Sequence, residues 1–133
     1  MRAEDNDMSV QRIHHYSISA PASILENMVI FYGDLLGLIS GPRPNFGIPG
    51  YWLYASGEPI LHLIEDENRT KTEIGYFDHI ALRCEDRDGI RVKLDERNIN
   101  YSHFEFLVGD TLQAQIIVTD PAANSLELNF LIT

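Results

Sequence analysis

A chain of 133 residues, 44% apolar and 23% charged, is long enough to bury one hydrophobic core. Twenty acidic against ten basic residues give a formal charge of −10. Such a field repels phosphate backbones and anionic headgroups, which argues against nucleic-acid and membrane-surface partners. No apolar run approaches the ~20 residues of a membrane span, and the single Cys84 excludes an intrachain disulfide and suits a reducing cytoplasm.

In chain order, residues 1–11 are polar and acidic, read as a disordered leader without the apolar stretch of a secretory signal. One domain is expected over 12–133, with a first module over about 12–66 and a second over about 76–131. Ile13–Ala20 alternates as a strand, with Tyr16, Ile18 and Ala20 on one face and His15, Ser17 and Ser19 on the other. A helix is predicted from Ile24 to Leu36, with Ser23 as N-cap, Gly37 past its end and Ile24, Met28, Phe31, Leu35 and Leu36 at helical spacing. After a loop rich in Gly and Pro, Tyr51–Tyr54 and Ile60–Ile64 read as a strand pair around the turn Ala55–Pro59.

The pattern then recurs. Phe77–Cys84 repeats the first strand sixty-four residues on, aligning His79 with His15 and setting Ile80, Leu82 and a structural Cys84 on the apolar face. Asp86–Arg97 is a second helix with Ile90, Leu94 and Val92 directed inward. Gln113–Val118 and Ser125–Phe130 flank the turn Asp120–Asn124, so Leu126-Glu127-Leu128 corresponds to Leu61-His62-Leu63, one residue off the first register. The fold class is α+β: two tandem βαβββ modules forming a curled eight-stranded cup.

Duplication gives the polar residues meaning. Each module offers one ionisable side chain from its first strand and one from its last: His15 and His62, then His79 and Glu127. Alternation turns all four away from the helices, toward a shared concavity. Three imidazoles and a carboxylate suit Fe, Mn, Ni, Co or Zn as a divalent ion, and two histidines with one carboxylate leave positions open for a substrate. His14 has the opposite parity and reads as a bystander; His103 reads as surface in a connecting segment. Arg43 is a candidate clamp for a substrate carboxylate, with Tyr51 and its aromatic neighbours Trp52 and Tyr54 as candidate pocket walls.

Ile13-His-His-Tyr-Ser-Ile, Phe31-Tyr-Gly-Asp-Leu-Leu-Gly-Leu38, Asp78-His-Ile-Ala-Leu82 and Asp120-Pro-Ala-Ala-Asn-Ser-Leu-Glu127 together resemble the vicinal oxygen chelate superfamily. That superfamily includes glyoxalase I, the fosfomycin and bleomycin resistance proteins, methylmalonyl-CoA epimerase and the extradiol dioxygenases. The resemblance spans about residues 12–131. It implies metal ligands at His15, His62, His79 and Glu127, proton transfer by His62 or Glu127, a small oxygenated substrate chelated to the metal, and a homodimer. Lyase, isomerase and dioxygenase chemistry all stay open. His62 stands where glyoxalase I has a glutamate, and Ile117 stands where an extradiol dioxygenase has a catalytic tyrosine. An acidic dimer that sequesters a small molecule, as in bleomycin resistance, is the alternative without catalysis. Where the hairpin motif often carries Gly, this chain has Ala123, and Asn124 is expected to take the left-handed conformation.

Overall fold

The structure is a computed structural model and describes residues 12–70 and 78–132. The acidic leader and Phe77, which opens the expected fifth strand, lie outside the described residues. The elements run β1 (Tyr16–Ala20), α1 (Ala22–Leu36), β2 (Ile39–Gly41), β3 (Gly50–Ala55), β4 (Glu58–Glu65), β5 (Ile80–Arg83), α2 (Arg87–Glu96), β6 (Tyr101–Val108), β7 (Thr111–Thr119) and β8 (Ser125–Leu131). They form two four-stranded sheets, ordered β1-β4-β3-β2 and β5-β8-β7-β6. In each, the first strand of the module runs parallel to the last and the other pairings are antiparallel. Two βαβββ modules follow, in an α+β fold.

The helices cover one face of each sheet because alternate strand positions are apolar. Leu61 and Leu63 of β4, Ala114, Ile116 and Val118 of β7, and Leu126, Leu128 and Phe130 of β8 are all buried. They join Leu25, Met28, Phe31, Tyr32 and Leu35 of α1 and Ile90 and Leu94 of α2 in one core spanning both modules. Each fully buried side chain of this size contributes roughly 1.5–3 kcal/mol. The modules are also linked by a buried hydrogen bond, in which the Tyr32 hydroxyl donates to Asp120 Oδ2 at 2.7 Å. Asp120 also accepts from the backbone N–H groups of Ala122 and Asn124, at 2.9 and 3.0 Å, and so shapes the β7–β8 turn.

Several local expectations are corrected. Ser23 is not the N-cap: Pro21 holds that place, and its carbonyl accepts from Ile24 and Leu25 N–H at 3.0 and 3.1 Å, closing the first turn early. Val92 is 55% exposed, because Ile90 and Leu94 already define the buried stripe of α2 and Val92 falls between them on the opposite side. Ala123, not Asn124, takes the left-handed conformation, with φ of 66°. Asn124 is instead spent on Asp120, to which its side chain donates at 3.1 Å. His103 lies within β6 opposite Ile116, not in a connection, and its Nε2 is buried without a partner. Burial, reinforced by the charges of Arg91 and Arg87, holds that imidazole below its usual pKa. No helix among the described residues is long and apolar enough to cross a membrane.

Candidate metal and substrate site

The face of each sheet away from the helices carries one pair of the four candidate ligands. In the first sheet, Ser17 of β1 lies beside His62 of β4. His15, two residues earlier, therefore reaches the same face. The two imidazoles stack with centroids 3.8 Å apart and planes within 10°. Trp52, the register partner of His62 on β3, stacks on its other side at 4.2 Å and 12°. The sandwich leaves His62 only 9% exposed, whereas His15 is exposed. His62 Nε2 lies 3.0 Å from the carbonyl oxygen of Pro59. Donation there leaves Nδ1 as the ring's free acceptor. A register shift between Leu53 and Tyr54, next to the Pro59 pairing, accompanies this contact. Burial, then the neighbouring His15, lowers the His62 pKa.

In the second sheet, Ala81 of β5 lies beside Glu127 of β8, and His79 again precedes it by two residues. Here the pair meets through charge. His79 Nδ1 is 2.7 Å from Asp78 Oδ2, and His79 Nε2 is 3.4 Å from Glu127 Oε1. The other oxygen, Oε2, accepts from Asn129 Nδ2 at 2.8 Å. The Asp78 carboxylate raises the His79 pKa, with Glu127 adding to it. Ile117 lies directly across from Glu127, so the position at which a dioxygenase would carry its tyrosine is on the right face but apolar.

The donor set fits a divalent cation. His79 Nε2 and Glu127 Oε1 face each other at 3.4 Å, an ion pair when the ring is protonated and two lone-pair donors when it is neutral. Two adjacent ligands on one ion with bonds of about 2.1 Å stand about that far apart. An outer carboxylate on the histidine and an amide on the ligating carboxylate are the usual orienting partners. Among the described residues no group of three or more His, Cys, Asp or Glu side chains gathers as a metal centre within the chain. His15 with His62, and His79 with Glu127, stand as two separate pairs.

The remaining candidates divide. Tyr51, opposite Leu63 in the register, packs against the core on the helix side, away from His62. Arg43 lies over the Phe46 ring at 5.1 Å, with Phe46 6.2 Å from Trp52, and it lines one cavity together with Tyr51. Tyr54 donates its hydroxyl to the Pro42 carbonyl at 2.5 Å and shapes the β2–β3 loop. His14, set aside on parity, has Nδ1 2.8 Å from Nδ1 of His15. Sequence reasoning missed Asn129 and Asp78 as orienting groups, although strand alternation places Asn129 on the face of Glu127. Nothing in the sequence signals the role of the Pro59 carbonyl, which depends on an irregular register.

Comparison with known proteins gives this arrangement a family. No family model matches the sequence. The Arabidopsis thaliana protein Glyoxylase I 4 is 30% identical over 128 residues, covering 92% of this chain and 72% of the relative. The chain belongs to the vicinal oxygen chelate superfamily. A glyoxalase/dioxygenase from Nostoc punctiforme shares the fold at a TM-score of 0.72 and 15% identity, over 94% of both chains. TnmS3, an antibiotic binding protein from Streptomyces sp. CB03234, shares it at 0.59 and 21% identity, over 93% of this chain and 98% of its own.

Proposed function

We propose that the protein is a divalent-metal-dependent enzyme of the glyoxalase type, acting on a small oxygenated molecule that chelates the metal. His15, His79 and Glu127 hold the ion. The bound metal would supply Lewis-acid stabilisation of negative charge developing on the substrate oxygens. The observation that carries this reading is the juxtaposition of His79 Nε2 and Glu127 Oε1 at 3.4 Å, each side chain oriented from behind by Asp78 and Asn129.

His62 has two roles open to it, as fourth ligand or as proton carrier, and its surroundings favour the second. Rings stacked within 10° have in-plane lone pairs that run parallel and do not converge, so sharing one ion with His15 requires a tilt. A lowered pKa keeps His62 neutral near pH 7, with Nδ1 free to accept a substrate proton. Glu127 remains available as a second base once its partner atoms move. The separation of the two pairs within one chain supports a homodimer in which each site takes His15 and His62 from one subunit and His79 and Glu127 from its partner. Phe104 and Phe106, 50% and 38% exposed on the open face of the second sheet, offer apolar surface for such an association.

Elemental analysis of the purified protein, followed by a substrate screen with the metal found, tests the proposal. About one ion per chain is expected from one site per two pairs. A protein that neither retains nor takes up Fe, Mn, Ni, Co or Zn would favour the second reading, sequestration of a small cationic molecule, which the charge of −10 supports.

A further inference from the structure

Arg43 is held in place by packing. One face of its guanidinium lies over Phe46. Its Nη2 end rests against Gly50, where a Cβ would come within 2.9 Å of Nη2 and within 2.2 Å of the Leu63 carbonyl oxygen. Position 50 therefore has no room for a side chain. The Arg43 Nε is buried with no hydrogen-bond partner, and among the described residues Arg43 joins no ion pair.

In so acidic a chain an unneutralised, immobilised cation invites a negative ligand. Arg43 lines a cavity of about 470 Å3, and its charged neighbours limit the choice. Glu26 and Glu65 line the same cavity, and neither joins an ion pair among the described residues. A simple carboxylate would be drawn to Arg43 but repelled by two glutamates. A simple amine would meet the reverse. A molecule carrying both charged groups on one carbon satisfies all three side chains.

We propose that this cavity binds the α-amino-acid end of a small molecule, with its carboxylate on Arg43 and its ammonium on Glu26 and Glu65. The cavity opens beside α1, where Ala22, Leu25 and Tyr51 line it, so the rest of such a molecule has an apolar wall to lie against. Recognition of the zwitterion itself needs no metal.

The test is an NMR titration of the full chain with L-leucine, 4-methylpentanoate, which lacks the ammonium, and 3-methylbutylamine, which lacks the carboxylate. L-Leucine should bind saturably, and both analogues roughly tenfold or more weaker, as each loses one charged contact. Arg43→Met should weaken L-leucine by a similar factor. Glu65→Gln should weaken L-leucine while improving 4-methylpentanoate, a reversal that simple loss of packing does not produce. If Arg43→Met fails to fold by circular dichroism, the Glu65→Gln reversal decides. No saturable binding of L-leucine, equal binding of 4-methylpentanoate, or an unchanged affinity in either folded variant overturns the proposal. Metal-stripped and metal-loaded protein should bind L-leucine alike, so failure here is distinct from failure of the metal reading.

Discussion

The two modules place the same pair of strand positions on the same face, yet the resulting half-sites work by different physics. His15 and His62 are organised by stacking, in a row of rings that ends on Trp52 and keeps His62 almost out of water. His79 and Glu127 are organised by hydrogen bonds and charge, each held from behind by a neighbour on its own strand or next to it. Backbone duplication thus fixes where the four side chains emerge, while the residues around each pair decide how it handles a proton or an ion. The first half holds its buried imidazole below the ordinary pKa, and the second holds its imidazole above it.

The largest effect should come from removing a proposed ligand of the charged half. His79→Ala is expected to abolish metal retention by elemental analysis, because it leaves Glu127 alone on its sheet. Full retention would remove the second half-site from the account. His62→Ala should reduce metal retention or turnover far more than His14→Ala. Equal and negligible effects of the two would make His62 a structural residue.

Smaller losses should follow from the orienting groups. Asp78→Ala and Asn129→Ala are each expected to weaken metal affinity by about 10–100-fold without unfolding the chain. An affinity unchanged in both, measured by competition with a chelating dye, would mean that the charged half does not depend on its outer partners. The pH behaviour sharpens the contrast further. In metal-free protein followed by histidine NMR, His79 should titrate above the ordinary 6.5 and His62 below it. By linkage, the interactions of His79 stabilise the fold at pH below 6.5 and fade as pH rises through its folded pKa; those of neutral His62 are present above 6.5 and fade as pH falls through its lower one. The opposite order of titration would contradict the assigned environments.

Between the two modules, Tyr32→Phe should cost about 1–3 kcal/mol in denaturant unfolding, since it removes a buried donor from Asp120. A loss no larger than that of an exposed substitution would show that the bond adds nothing to module pairing.

Much of this was legible in the sequence because it rests on periodicity. Alternation of Leu61-His62-Leu63 and Leu126-Glu127-Leu128 places the polar member opposite the core wherever a strand forms. Gly37 beyond α1 takes the left-handed φ of 76° that a helix end favours, as the spacing predicts. What escaped depends on distant contacts. β6 mixes Ser, His, Phe and Glu without a clean core face and forms because β7 offers it a full register from Tyr101 to Val108. Ala123 accepts a left-handed backbone because Asp120 and Asn124 bind each other around it. The stacking of His62 between His15 and Trp52 joins three strands' worth of positions that no local pattern connects.

The central claim is that the two unlike halves complete one another across a dimer, and one mixing experiment addresses it most directly. A His15→Ala/His62→Ala chain and a His79→Ala/Glu127→Ala chain are each expected to bind no metal. Combined, every mixed dimer should regain one intact site of two, about half the native metal capacity, as two-fold symmetry requires. Mixed dimers that demonstrably form yet stay metal-free, or a native protein that is strictly monomeric in solution, would contradict the account.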